Sequence, residues 1–569
     1  MSGIMKMNRA LLLVCALLAS GVPAGAELQW PIDRPMMVTG TFGEFRGAHY
    51  HHGIDISTGG KTGFKIFSAG DGYVSSVMYQ QWGIGYAVLV RHSDGLITLY
   101  GHLKGFSDQI LGNKSVQKFR EQIRNRKDFR VDFSGPSIPV RRGAVIGFSG
   151  DSGIGLEHFH FEVRKKDNEP VNPLVGFLSV PDRSAPVISS LSLVPLDPYS
   201  TVDGSAKEKK YAVVVRGRGA YGILGLSAPV VSGAIAVKIN AYDRIGIKNN
   251  VAVYGADLFV RDRLAYRFRF DRIVRDTSHR AGLRYDYDAS SFSNYTLYLY
   301  DRAGGEGIIR TGLAGESLPV RIVCYDAAGN KSGLVLQLKT GAKADKPAYQ
   351  YAPNLFPRKP LDLASGDGVF RVEFPNGSAL YDEMITLSQG PVMNSRVPGV
   401  TAVSGVYALA PTSLCLDKPA RVSLRYAGAD YRKVGVYLLS RNEKYFYCVG
   451  TAYDRMSGSF RVAAARLGKF FLARDDAPPR VHFRNGSVIR SGDILRIYVS
   501  DIGTGVALSS IVVKIDGGDV AWDYDPDRRC VEVLAHNPVW SKGKHAITIS
   551  LSDVAGNASG PQSFTYLSR

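Results

Sequence analysis

Three short segments rich in proline, alanine and charge interrupt the chain: Val180-Pro181-Asp182-Arg183-Ser184-Ala185-Pro186, then Gly341 to Pro360, then Asp475-Asp476-Ala477-Pro478-Pro479. Proline fixes φ and cannot donate to a sheet ladder, so such runs end elements and link folding units. They limit what 569 residues can build. One core is excluded, and four units are expected at 27–180, 181–345, 346–475 and 476–569, each long enough to bury a core of its own.

The last three units read as β. Apolar and polar residues alternate over short runs such as Ala236-Val237-Lys238-Ile239-Asn240-Ala241-Tyr242 and Leu495-Arg496-Ile497-Tyr498-Val499-Ser500. An internal echo links two of them. Cys324-Tyr325-Asp326-Ala327-Ala328-Gly329-Asn330 matches Leu551-Ser552-Asp553-Val554-Ala555-Gly556-Asn557. Ala241-Tyr242-Asp243-Arg244-Ile245-Gly246 and Val499-Ser500-Asp501-Ile502-Gly503 are shorter versions. Each is a strand entering an Asp-initiated turn, where Asp caps the backbone and Gly or Asn accepts a left-handed conformation. The pattern resembles bacterial immunoglobulin-like β-sandwich modules at 181–345 and 476–569. The unit at 346–475 has the same texture without the echo and is expected to be a β-rich module.

Residues 1–26 read as a secretory signal peptide. Lys6 and Arg9 precede a short apolar run from Leu11 to Leu18, and Ala24-Gly25-Ala26 offers a small-residue cleavage site. No later stretch is long and apolar enough to span a bilayer, so no integral membrane segment is expected in the mature chain. The formal charge is +19, from 70 Lys and Arg against 51 Asp and Glu, which favours an acidic partner. Export argues against nucleic acid and for an anionic polymer of the cell envelope. Over 27–180 basic residues number 18 and acidic ones 15, so most of the surplus lies in the later units. Cys324, Cys415, Cys448 and Cys530 are too far apart for a metal ribbon, and Cys415 and Cys448 share a unit and could pair.

Histidines concentrate in the first unit. Of 11 in the chain, His49, His51, His52, His92, His102, His158 and His160 fall there. In His51-His52-Gly53-Ile54-Asp55 a glycine lets the backbone bend, so His51 and Asp55 can converge. In His158-Phe159-His160-Phe161-Glu162-Val163 alternate residues share a strand face, so two imidazoles project together over an apolar underside. Two His and one carboxylate form a three-ligand zinc set with a position left for water.

The blocks around these motifs carry a resemblance. They are Gly40-Thr41-Phe42-Gly43-Glu44-Phe45-Arg46, His49-Tyr50-His51-His52-Gly53-Ile54-Asp55-Ile56, Ala69-Gly70-Asp71-Gly72-Tyr73-Val74, Leu99-Tyr100-Gly101-His102-Leu103, Val140 to Gly150, and the 158–163 strand. Residues 38–175 resemble the lysostaphin/LytM-type zinc endopeptidases that cleave peptidoglycan peptides, family 23 of the metallopeptidases. The resemblance implies an antiparallel β-sheet peptidase domain and one Zn2+ held by His51, Asp55 and His160. It implies His102 and His158 as the catalytic pair, with His158 taken as the base and His102 assisting.

The neighbours are read more plainly. His52 is packed or solvated, His49 lies beside the cleft at most, and His92 is structural, at a strand end before the Ser93-Asp94-Gly95 turn. Glu162 is a strand-end carboxylate, with support of a ligand as the alternative. Tyr100 is expected on the face of His102. Two departures from the family stand out. Gly155-Leu156-Glu157 replaces the family's small-residue and proline run, and an insertion lies between Leu103 and Pro139. Its middle, Ser115 to Phe129, has helical spacing at Val116, Phe119 and Ile123. Seven basic residues against two acidic ones over 114–130 give it a basic face, solvated or turned to the wall polymer.

The expected function is that of an exported zinc-dependent endopeptidase that hydrolyses peptidoglycan stem or cross-link peptides in the periplasm or cell envelope. Its β modules would position it on peptidoglycan or on protein partners. The alternative is a non-catalytic wall-binding protein or an activator of another murein hydrolase, which the presence of all five site residues argues against.

Overall fold

The alternating stretch at 158–164 lies at the middle of an eleven-stranded antiparallel sheet. The computed structural model describes residues 27–569 apart from 48, 125, 226, 247–248, 396, 485, 491–492 and 534–540. The expected signal peptide lies outside the described residues. The sheet contains β1 (Val38–Gly40), β2 (Ile54–Ser57), β3 (Lys65–Phe67), β4 (Gly72–Gln80), β5 (Gly85–His92), β6 (Ile97–Phe106), β7 (Phe129–Asp132), β8 (Pro139–Val140), β9 (Val145–Ser149), β10 (His158–Arg164) and β11 (Pro170–Val171). Its central order is β1-β2-β10-β6-β5-β4-β7. One face of β10, Phe159, Phe161 and Val163, packs with Tyr100, Ile54, Ile56, Val88 and Val90 in a common core. The other face carries His158, His160, Glu162 and Arg164. β10 therefore has an apolar side that anchors it and a polar side free for chemistry.

The insertion departs from expectation. It forms three short helical turns, α1 (Asp108–Leu111), α2 (Lys114–Gln117) and α3 (Arg120–Arg124), rather than one helix over 115–129. Phe129 begins β7, which pairs with β4. Val116 is buried, and Phe119 and Ile123 pack against the same core, so the helical spacing is real but short. Phe129 and Val131 alternate with exposed Arg130 and Asp132, and pairing with β4 overrides the helix at that point.

The rest of the chain is β-structure. Twelve strands between Val187 and Thr340 enclose a core of their own. Five- and six-stranded sheets between Leu361 and Asp475 face each other across a second core. Four- and five-stranded sheets between Arg480 and Ser568 form the last sandwich. Among the described residues the four cysteines are free, so Cys415 and Cys448 do not pair. Among the described residues no helix is long and apolar enough to cross a membrane.

Two contacts between units position the site. Phe42 and Phe45, just before the His51 motif, belong to the core of the second unit. Ile245 and Val251 of that unit enter the core of the first. The Tyr285 hydroxyl donates to the Gly43 carbonyl at 2.8 Å, and Thr41 Oγ1 donates to the Ala252 carbonyl at 3.1 Å. The last sandwich docks back on the first unit, where Arg126 meets Glu532 at 2.9 Å and Tyr79 donates to Asp523 at 3.1 Å. Arg126 is thus an interface residue, not part of a solvated basic face.

Candidate metal centre

Strand register brings the motifs together. His160 lies opposite Asp55 on β2 and opposite Gly101 on β6. Side chains at directly opposed positions touch across a ladder, so His160 and Asp55 meet. His51 arrives from the loop before β2, and Gly53 lets it arrive. A Cβ at Gly53 would lie 2.3 Å from the Phe161 carbonyl oxygen and 2.9 Å from His160 Nε2. The loop therefore passes flat against β10, and any larger residue would lift His51 away.

The donor atoms form a nearly equilateral triangle. His51 Nε2 is 3.0 Å from His160 Nδ1 and 3.1 Å from Asp55 Oδ1, and His160 Nδ1 is 3.0 Å from Asp55 Oδ1. All three residues are buried. Their outer contacts set the tautomers. His51 Nδ1–H donates to the Thr41 carbonyl at 2.8 Å, and His160 Nε2 lies 3.1 Å from Glu162 Oε1, a carboxylate that can only accept. Each ring has an outward acceptor for one N–H, which leaves its inward nitrogen able to present a lone pair once any proton there is displaced. Three lone pairs converging on one dry spot repel one another unless a proton or a cation lies among them. Two imidazole nitrogens and a carboxylate oxygen suit zinc, so the residues present fit the ion.

The electrostatics agree. Burial lowers the His51 pKa to about 4 against the pull of Asp55, so the ring is neutral. Burial would also raise the Asp55 pKa, but His51, Arg46 and His158 hold its carboxyl well below the usual range. Arg46 Nη2 donates to Asp55 Oδ2 at 2.5 Å and lies 3.1 Å from Glu44. Burial opposes a charge on His160, yet its hydrogen bonds to Asp55 and Glu162 outweigh burial and raise its pKa to about 9. Without a metal, His160 keeps a proton between the two carboxylates. Glu162 is itself held by Arg164 Nε at 2.6 Å. It is therefore a buried partner of His160 rather than a solvated strand-end group.

His102 reaches the site through a bulge. Tyr86 pairs with Leu103 while Val88 pairs with Tyr100, so β6 carries one more residue than β5 over that stretch. His102 takes the left-handed conformation, φ 54°, and its N–H donates to the Ile84 carbonyl at 2.9 Å. A bulge re-aims a side chain. It does so here, bringing the His102 ring within 4.5 Å of the His158 ring and 5.9 Å of the His160 ring, centroid to centroid. The same bulge corrects the expectation for Tyr100. Its ring packs on Phe159 and Phe161 in the core, on the opposite side of the sheet from His102.

His158 and His102 are alike in tautomer and different in surroundings. His158 Nδ1–H donates to the Leu156 carbonyl at 2.5 Å, and its Nε2 lies 3.5 Å from Asp55 Oδ1. His102 Nδ1–H donates to the Ser152 carbonyl at 2.8 Å. Each is left with a lone pair at Nε2. The His158 side chain is 20% exposed, whereas His102 is buried. Burial, with His158 and His160 nearby, keeps His102 neutral well below its ordinary range.

The other histidines lie away from the triangle. His52 Nε2 contacts Ser278 Oγ at 2.7 Å, His92 is fixed by the Asp71 carbonyl and Thr98 Oγ1, and His49 is exposed. The Gly155-Leu156-Glu157 departure forms one wall of the site, and the last sandwich holds it. Gly155 N–H donates to Asp527, and Arg528 bonds Glu157 and lies 3.2 Å from Asp151. The departure in sequence points to an altered wall, but nothing in it signals that the last sandwich holds it, since those partners lie some 370 residues away along the chain.

Known proteins resemble this region. Residues 49–119 match the model of peptidase family M23. The DD-carboxypeptidase/endopeptidase Mpg of Neisseria meningitidis serogroup B is 32% identical over 133 residues, 23% of this chain, and the Neisseria gonorrhoeae protein of the same name matches equally. The match covers 24% of the length of those relatives, about a quarter. Among solved structures, the catalytic domain of EnpA, a prophage-encoded M23 protein of Enterococcus faecalis, aligns at 24% identity over 26% of this chain and 96% of its own, with TM-score 0.19. A zinc-containing peptidase of Vibrio cholerae aligns at 24% identity over 26% of this chain and 39% of its own, with TM-score 0.18.

Proposed function

We propose, taking as premise that the N-terminal domain is of the peptidase M23 type, that the protein is an exported metalloendopeptidase that hydrolyses peptide bonds in peptidoglycan. In this reading 27–180 is the catalytic unit, and the units at 181–345, 346–475 and 476–569 are accessory β modules that work in the periplasm or cell envelope. His51, Asp55 and His160 hold a single zinc ion. The observation that carries the reading is the triangle of converging ligand atoms, 3.0–3.1 Å on a side, with two further imidazoles beside it.

Zinc bound there would lower the pKa of a coordinated water to about 7 and polarise the scissile carbonyl. The remaining work belongs to the chain. His158 takes the water's proton at Nε2. That nitrogen lies 3.5 Å from Asp55 Oδ1, beside the proposed metal position, and the side chain is partly exposed. Its Nδ1–H bond to Leu156 holds the ring in the accepting tautomer. His102, kept neutral by burial, offers an acceptor at Nε2 that orients the water or the peptide N–H. Arg46 and Glu162 hold Asp55 and His160 in place.

The test is direct. Purified protein should contain one zinc per chain and clear sacculi, and mass spectrometry of the released muropeptides should show cleaved peptides with intact glycan. His158→Ala should retain zinc and lose cleavage. A zinc-loaded wild type that leaves sacculus peptides intact would defeat the enzyme reading and favour the binding or activating role.

A further inference from the structure

The echo noted in the sequence places carboxylates together twice. Asp182, Asp243 and Asp326 bring oxygens within 4.8 Å of one another, and so do Asp475, Asp501 and Asp553. The two groups are built alike. One member comes from a linker between units (Asp182, Asp475), one from the short echo (Asp243, Asp501) and one from the long echo (Asp326, Asp553). In each, an asparagine closes the turn. Asn330 donates its N–H and Nδ2–H to the two oxygens of Asp326 at 2.8 and 2.7 Å, and Asn557 does the same to Asp553 at 2.8 and 2.8 Å. The same asparagines donate to the linker carbonyls of Asp182 at 3.3 Å and Asp475 at 2.9 Å.

One atom in each group is left without a partner. Asp243 is 2% exposed, and its Oδ1 accepts no hydrogen bond and touches no water-accessible surface. Asp501 is half-buried, but its Oδ1 is likewise buried and without a partner, while its Oδ2 accepts from the N–H groups of Gly503 and Gly505 at 2.9 and 2.7 Å. A buried, unpaired carboxylate oxygen is costly, and here it recurs at the equivalent residue. Among the described residues the charged groups that act on Asp243 are Asp326 and Asp182, both of its own sign. The grouping Asp525, Cys530 and Glu532 differs, because Arg528 lies 2.7 Å from Asp525, and Arg126 and Arg496 meet Glu532 at 2.9 and 2.8 Å. It is already neutralised and needs no ion.

We propose that Asp182, Asp243 and Asp326 form one calcium site and Asp475, Asp501 and Asp553 a second. Both donor sets are oxygen alone, which suits a hard cation and not zinc. Each group borders an open cleft, lined by Asp182, Ile245, Ala327 and Ala328 in one case and by Ala477, Pro478, Asp501 and Ile502 in the other. A hydrated ion can enter and keep waters on its outer side. Because one ligand of each site lies in a linker, the ions fasten the first unit to the second and the third to the fourth.

The test uses the full, zinc-loaded chain, so that the histidine site is filled beforehand. Titration with CaCl2 should show two ions per chain, with affinity in the 10⁻⁴–10⁻³ M range or tighter, roughly that of extracellular calcium modules. Asp243→Asn and Asp501→Asn should each remove one ion and leave the zinc content unchanged. Calcium should also slow tryptic cleavage at Arg183 and Arg480, the basic residues beside the two linkers, and each variant should lose protection at its own linker. Wild-type protein that binds no calcium at about 10 mM would overturn the proposal, as would a double variant that still binds two ions.

Discussion

Arg528 of the last sandwich bonds Glu157, the residue immediately before His158. The last sandwich thus supports the wall that presents a candidate catalytic imidazole of the N-terminal sheet. Asp523 of the same sandwich sits at this interface with Tyr79, Gln81 and Arg126 around it. Burial raises its pKa to about 6, despite Arg126 nearby. A carboxyl whose docked pKa exceeds its free value of 3.8 binds more protons when docked, so docking is favoured at low pH and weakens as pH rises through that window. The last sandwich should release more readily at pH 7 than at pH 5, by about 1 kcal/mol. Hydrogen exchange in residues 522–533 at the two pH values checks this, and Asp523→Asn should flatten the difference.

Zinc uptake should release protons. His160 keeps a proton up to a pKa of about 9 in the metal-free chain, and a metal on Nδ1 must displace it. Affinity should therefore rise by about tenfold per pH unit between roughly pH 6 and 9. Competition with a chromophoric chelator across that range measures it, and a flat profile would show that His160 is not a ligand.

Glu162→Gln should keep the fold and weaken zinc binding by about 10–100-fold, because a neutral amide, which can donate as well as accept, no longer forces the His160 Nε2 to carry the proton and withdraws the negative charge behind the ring. Dialysis against graded chelator gives the number. Asp55→Ala should abolish stoichiometric zinc outright.

His102→Ala and His158→Ala should retain zinc and each lower kcat by about 10²–10⁴-fold. His158→Ala should be the more damaging, since His158 is the open, accepting ring. Single-turnover cleavage of a defined muropeptide, with zinc measured on the same samples, separates loss of chemistry from loss of metal.

The His160 and His158 pairing was legible because strand alternation is a strict period of two, and Phe159, Phe161 and Val163 declared which face was buried. That Asp55 would lie beside His160 required the β2–β10 register, which no local pattern encodes. The place of His102 depends on a bulge at a residue other than glycine, so nothing in Leu99-Tyr100-Gly101-His102 signalled it, and simple alternation put Tyr100 on the wrong side. The helical spacing of the insertion overruns its helices, because Phe129 fits a helical stripe as well as the strand it forms with β4. Neither a solvated face nor one turned to the wall polymer accounts for Arg126, because its partners Asp523 and Glu532 are some 400 residues distant and no local pattern points to them.

Phe45→Ala should cost about 3–5 kcal/mol, since Phe45 is buried in the second unit's core with its ring 5.5 Å from that of Tyr285. Thermal unfolding of wild type and variant measures the loss, and zinc affinity should fall with it.

Phe42 and Phe45 have a wider consequence. The segment that carries His51 is shaped by the neighbouring sandwich as much as by its own sheet. A nascent or clipped chain that ends before that sandwich would present the histidines but not hold them in register. The arrangement is an interlock, in which the proposed hydrolysis would wait on completion of the neighbouring sandwich.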